Sequence, residues 1–175
     1  MLNPRSEAAG SGPLLVLADG TWADARDWAR RLDRIEVAVT EAGRAGRPVA
    51  VVVATDLPEG SLPFQAADAW LPLLGALSPY PWQPDDTLAG WAAAQDGDFD
   101  TSWLSDGIDR AGRDDVLAAL EARGSVSVLE SGRPVFGLRP ARFEDGLIRM
   151  TALRAQPGTE ALVTVTARGL GPAGL

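Results

Sequence analysis

Two unbroken apolar runs of strand length, "PLLVLAD" (13–19) and "PVAVVVATD" (48–56), bracket a segment whose apolar residues recur at helical spacing. A strand with no polar face has to be covered on both sides. Two such strands joined through a helix run parallel, with the helix crossing over one face of the sheet. In the joining segment, Trp28, Leu32, Ile35 and Val39 follow one another at four, three and four residues, which predicts a helix over about 23–42. Arg30, Arg31, Asp33 and Arg34 are expected on its outer face, and "AGRAGRP" (42–48) supplies the stop.

The same alternation continues. "QAADAWLPLLGAL" (65–77) is helical in pattern but carries Pro72 and Gly75, so a kink or two short pieces are expected. "SPYPWQPDD" (78–86) is a proline-rich turn, and Asp85 or Asp86 can cap the helix "TLAGWAAAQ" (87–95). "DFDTSWLSDG" (98–107) reads as a third strand, 112–124 as an amphipathic helix and "SVSVLES" (125–131) as a fourth strand. This order predicts an α/β fold: a doubly wound, mainly parallel sheet with helices on both faces, Rossmann-like in its layering. From residue 133 the helical period disappears. Strand-like runs near 134–138, 146–154 and 160–167, with turn signals at "FEDGL" and "QPGTE", predict a β-rich extension. It forms either added strands at the sheet edge or the start of a second, sandwich-like domain. The expected division is therefore a flexible lead-in (1–12), an α/β domain (13–132) and a β-rich extension (133–175).

Composition narrows the chemistry. The 175 residues include neither cysteine nor histidine, which excludes thiol nucleophiles, Cys/His zinc sites and histidine general bases. Any metal has to be a hard cation on oxygen ligands, magnesium, calcium or manganese. A formal charge of −8 disfavours nucleic acid and anionic lipid as partners. No stretch approaches the ~18–20 apolar residues that cross a bilayer, so this segment is not expected to insert directly. "MLNPRSEAAGSGP" lacks the apolar centre of a secretion signal. "GSGP" precedes the strand and lacks a lysine, so it is not a phosphate loop. Asp96, Asp98 and Asp100 lack the spacing of a calcium loop and read as a solvated turn.

Two strands end in Asp-Gly, at Asp19-Gly20 and Asp106-Gly107. Carboxyl ends of parallel strands are where open α/β sheets bind ligands. Two carboxylates there, with hydroxyls from Thr21, Thr87 and Ser105, suit a hard divalent cation. The alternative is that each aspartate caps a helix and each glycine takes a tight turn.

The strand "LLVLADGTWAD", the helix "RDWARRLDRIEVAVTEAGRAGRPVAVVVATD", the "PYPWQPDDTLAGWAAA" turn and helix, and "SWLSDGID" together resemble a von Willebrand factor A-type (vWA) domain over about residues 13–131. More narrowly, they are similar to the vWA-like region of Bat-type, aerotolerance-family bacterial membrane proteins. In that family a metal-ion-dependent adhesion site combines Asp-x-Ser-x-Ser with a distant threonine and a distant aspartate. The resemblance places Asp19 at the motif aspartate, Thr21 at the first serine, Thr87 at the threonine and Asp106 at the distant aspartate. Ala23 stands at the second serine and has no ligand atom, and Asp24 would point about 100° away on a helix. The resemblance thus implies a degenerate site with weak magnesium or manganese binding at most, and no other cofactor.

Six tryptophans accompany a single tyrosine. Trp28 and Trp103 fit the core. Trp22, Trp82 and Trp91 fall near the same sheet edge if the resemblance holds, and aromatic clusters can anchor a partner; packing under proline-rich loops is the other reading. Without catalytic side chains, the expected function is a non-catalytic protein–protein interaction module, not an enzyme. Its partner is a protein, possibly another domain of its own chain. By the resemblance, it belongs to a larger protein anchored by flanking transmembrane helices and lies on the periplasmic side of the inner membrane. The alternatives are a magnesium-dependent hydrolase or phosphotransferase using Asp19 and Asp106, and a purely structural domain.

Overall fold

The computed structural model describes residues 10–131, 134–155, 162 and 164–166. Four strands, β1 (Leu14–Ala18), β2 (Val49–Val53), β3 (Asp100–Ser105) and β4 (Val126–Glu130), form one sheet in the order β2-β1-β3-β4. Each neighbouring pair is parallel, with Leu14 opposite both Val49 and Asp100, and Thr101 opposite Val126. The expected strands are therefore present, in parallel, within three residues of their sequence bounds.

The apolar runs explain the layering. Side chains alternate across a strand, so a run without polar residues feeds two cores. Val16, Ala18, Val49, Val51 and Val53 pack on one face, against Trp28, Ile35 and Val39 of α1 (Trp28–Arg44). Leu15, Leu17, Ala50 and Val52 pack on the other, with Leu88 and Ala92 of α3 (Leu88–Ala93) and Val116 and Leu120 of α4 (Arg113–Glu121). Between β2 and α3 the predicted broken helix is α2 (Ala67–Trp70) followed by a 3-10 turn at Leu71–Ala76, which contains Pro72. The first helix starts later than its pattern suggests, because a 3-10 turn at Ala25–Asp27 precedes it. No helix among the described residues is long and apolar enough to cross a membrane.

The segment after β4 is antiparallel. β5 (Phe136–Leu138) pairs with β8 (Ala152–Arg154), and β6 (Arg142–Glu144) pairs with β7 (Leu147–Arg149). The expected run at 146–154 is thus two strands, while most of that at 160–167 lies outside the described residues. Among the described residues these strands pair with one another and do not extend the parallel sheet. The "FEDGL" turn is present as expected: Asp145 and Gly146 both have positive φ, 51° and 76°. That pair of angles gives the primed turn whose twist matches a two-residue hairpin.

Gly20 closes the carboxyl end of β1 at φ +64°, and a Cβ there would lie 2.1 Å from Val53 Cγ1. Gly97 also has a positive φ, +83°, but nothing within 4 Å of the same position. Gly97→Ala should therefore cost only the left-handed strain of about 1–2 kcal/mol. Gly20→Ala adds an overlap with the β2 core and should cost at least about 2 kcal/mol more, typical of overpacking. Urea denaturation of the two variants measures the difference, and equal losses would show that the turn yields to accommodate the methyl.

Candidate functional site

The carboxyl ends of β1 and β3 lie side by side where the strand order departs in both directions from β1, and the polar cluster is built there. Asp19 follows the last residue of β1 and is 1% exposed. Its Oδ1 accepts a hydrogen bond from Trp103 Nε1 at 2.7 Å. Its Oδ2 accepts from Ser105 Oγ at 3.2 Å and from the Asp106 amide at 2.9 Å. Asp19 therefore ties β1 to the end of β3, and does not cap its own turn.

Asp106 faces it. Its Oδ2 accepts from the buried Thr21 hydroxyl at 2.6 Å, and its Oδ1 accepts from the Ile108 amide at 2.9 Å. Thr21 and Asp106 are in the places the sequence assigned them, at adjoining strand ends. The guanidinium of Arg110 is seated against both acids, hydrogen-bonded through Nη2 to Asp106 Oδ2 and with Nη1 3.7 Å from Asp19 Oδ2. Ser105 Oγ accepts from Arg113 Nη1 at 2.8 Å, and the Arg113 guanidinium lies 5.0 Å from the centre of the Trp103 ring.

The turn itself is closed by Asp24. This side chain is completely buried, and its Oδ2 accepts from the Gly20 and Thr21 amides at 2.9 and 3.3 Å. Its Oδ1 lies 2.6 Å from Arg31 Nη2, off the direction of a hydrogen bond, so the contact is an ion pair. Arg31 Nη2 also donates to the Ser105 carbonyl at 3.0 Å. This corrects two expectations. Asp24 turns inward because the chain makes a 3-10 turn before α1 and is not yet on the helix. Arg31 is buried because it stands three residues after Trp28 and four before Ile35, on the packed stripe.

Electrostatics separate the two strand-end acids. Burial, then the neighbouring charge of Asp106, pushes Asp19 above the ordinary carboxylate range, despite the bond from Trp103. Burial also acts to raise Asp106, but hydrogen bonds from Arg110 and Thr21 outweigh it and hold Asp106 below the usual value. Burial raises Asp24 to about 6, with Arg31 opposing.

A cavity of about 280 Å³ opens over the cluster, with Asp19, Trp103 and Arg110 among its lining and Asp85, Asp86 and Asp109 contributing acids. Thr87 is not part of the hydrogen-bonded cluster. It precedes α3, with its amide bonded to Asp85 Oδ1 at 2.8 Å, and it lines a second hollow with Thr55 and Trp82. Asp85 so closes an Asx turn and leaves the helix itself without a side-chain cap.

Among the tryptophans, Trp28 and Trp103 are core, as expected. Trp22 is exposed just after the β1 turn. Trp82 is exposed too, with its Nε1 bonded to the Thr55 carbonyl and its ring stacked on Tyr80 at 4.6 Å. Trp91 instead packs, half-buried, against the core on the α3 side. Asp100 is no solvated turn residue: burial raises it, but Ser125 and Arg47 hold it below the ordinary value. Among the described residues no group of three or more His, Cys, Asp or Glu side chains is arranged to hold a metal ion. No known family model matches this chain, and no curated protein or solved structure compared with it matches either.

Arg31 is the site residue that pattern reading missed. That reading turned Asp24 away from the site as a substitute ligand, while Arg110 and Arg26 are the cations near the strand-end acids by sequence.

The raised Asp24 has a pH consequence. A carboxyl raised from 3.8 to about 6 on folding contributes stability that is complete below about pH 4 and is lost as pH rises through about 6. Asp24→Asn removes that titration. The stability of the natural protein relative to the variant should therefore fall by up to roughly 3 kcal/mol between about pH 4 and pH 7. Urea melts of both at several pH values read this directly, and a difference independent of pH would mean that Asp24 titrates as it does in the unfolded chain.

Proposed function

We propose that this chain is a non-catalytic protein–protein interaction module with a doubly wound, vWA-like α/β fold and a degenerate adhesion site at its strand ends. The observation that carries the reading is Arg110. A guanidinium tethered to the loop after β3 stands against Asp19 and Asp106, the two carboxylates a divalent cation would need. The donor set does not suit such a cation: Ala23 supplies no oxygen, and Asp24 is committed to the Gly20 and Thr21 amides and to Arg31. A fixed positive charge thus takes over the structural part of the ion's task. The exposed Trp22 and the Trp82–Tyr80 stack supply contact area at the same sheet edge, and Trp91 supports it from the core. In this reading the module belongs to a larger, membrane-anchored protein and works on the periplasmic side of the inner membrane.

A hydrolase would need its strand-end acids free to hold magnesium or to attack. Here Asp19 receives three hydrogen bonds and Asp106 is bonded to Arg110 and Thr21.

Two measurements test the proposal. Phosphatase and ATPase assays with magnesium should show no turnover; turnover abolished by Asp19→Asn would overturn it. In thermal melts with 1 mM manganese, a site of about millimolar Kd would stabilise the natural protein by only about 0.4 kcal/mol. Arg110→Ala combined with Ala23→Ser, which frees the acids and restores the missing hydroxyl, should give a several-fold larger gain, reversed by chelator. A large manganese shift in the natural protein would show that Arg110 yields to the metal.

A further inference from the structure

The four short strands after β4 are one long arm. Phe136, Gly137 and Leu138 oppose Arg154, Leu153 and Ala152. The Ala155 amide donates to the Val135 carbonyl, and the Arg139 amide donates to the Thr151 carbonyl in the same register. Arg142, Phe143 and Glu144 then oppose Arg149, Ile148 and Leu147, one residue out of step. Pro140 and Ala141 face Met150 alone, which is the two-against-one count of a β-bulge. Proline has no amide to donate, and a bulge is where an antiparallel ladder tolerates it. The result is a continuous two-stranded hairpin of about ten residues a side, roughly 33 Å long.

A two-stranded ribbon alone is marginally stable in water. This one leaves the cross-strand pair Phe143 and Ile148 at 75% and 68% exposed, with Leu138 and Leu147 also open. Its root is held: Arg26 Nη2 donates to the Pro134 carbonyl at 2.7 Å and Val135 is buried. The parallel sheet has a matching vacancy. β4 is its edge, nothing among the described residues pairs with the outer side, and Val128 and Leu129 are exposed on opposite faces. Charge selects what the arm fits. Residues 134–155 carry four arginines against two acids, a formal +2, while residues 13–131 carry nine arginines against twenty acids, a formal −11. α4, which contacts β4, carries the acids Asp114, Asp115 and Glu121.

We infer that the arm docks on a second copy of this chain, adding a strand to the β4 edge of its partner, and that the exchange is reciprocal. Strand addition satisfies the edge amides and carbonyls, the apolar pairs of the arm cover Val128 and Leu129, and the arm's arginines meet the acidic flank. The inference is independent of the reading of the strand-end site.

Sedimentation of the full chain over a concentration series tests it. A dimer is expected, weakened by salt because charge pairs contribute. Phe143→Asp with Ile148→Asp on the arm, and Leu129→Lys on β4, should each give folded monomers that melt like the natural protein diluted below its dimer dissociation constant. Mixed, they should form a heterodimer, since one intact arm then meets one intact edge. If the arm variant misfolds, Arg142→Glu with Arg149→Glu replaces it and should weaken the dimer about tenfold or more, like other charge reversals at an interface. Four outcomes would overturn the inference: a natural protein that stays monomeric, dimers that survive the arm substitutions, no heterodimer on mixing, or a monomer that binds vesicles of phosphatidylserine through the arm.

Discussion

The anchorage of Asp19 is the contact on which the rest of the structure depends. A carboxylate buried to this degree is tolerable only when donors replace the water it has lost. Here the donors come from the neighbouring strand: the Trp103 indole, the Ser105 hydroxyl and the Asp106 amide. Meeting that requirement fixes the stagger of β1 against β3 and places Asp106 beside Asp19. Like charges so close raise one another, and Arg110 settles the conflict in favour of Asp106, whose carboxyl is held low while that of Asp19 is pushed up. The loop after β3 is thereby pinned across the strand ends by its own side chain.

A second constraint acts on the same turn. Gly20 has to leave β1 in the left-handed region, with its α-hydrogen aimed at Val53. That geometry directs the Gly20 and Thr21 amides at Asp24, and it leaves the Gly20 carbonyl to accept from Thr55 Oγ1 and the Tyr80 amide. The β1 turn, the end of β2 and the proline-rich loop that carries Trp82 are joined through a single peptide. The exposed tryptophans are thus held by backbone contacts to the same turn that the buried acids organise.

The layers were legible in the sequence because they follow from period alone. Valine and leucine at every position of 14–17 and 49–53 admit only a strand covered on both faces, apart from the small Ala50. Trp28, Ile35 and Val39 show the inner stripe of α1. Arg31 was not legible, since a charged residue next to another arginine reads as solvated surface until its partner is known. That partner, Asp24, was hidden for a related reason: its role depends on a 3-10 turn that shifts the helix start from about 23 to 28. Thr21 and Asp106 could be assigned because strand ends fix their position. Thr87 sits where α3 begins, as expected, but that helix start lines a hollow with Thr55 and Trp82 and is not joined to the cluster. In the arm, Asp145-Gly146 announced the hairpin, but the bulge at Pro140 broke the period of two and made one ribbon look like separate runs.

If the strand-end cluster is a degenerate ion site, as proposed, a guanidinium stands where a divalent ion would, and that changes what the site can do. A cation such as magnesium is exchangeable, and keeps coordination positions open for water or for an oxygen from outside. A guanidinium is planar, permanently charged and covalently tethered, so its contribution does not vary with metal supply. Its donors point along fixed directions, and in Arg110 they are turned towards Asp106 and Asp19. The charge that would otherwise recruit an external acid is largely spent inside the cluster, while Asp85, Asp86 and Asp109 leave the adjoining cavity acidic in lining. Under the proposed interaction role, a contact at this edge would draw on the surface that remains open, the Trp22 ring and the Trp82–Tyr80 stack, above the buried polar cluster.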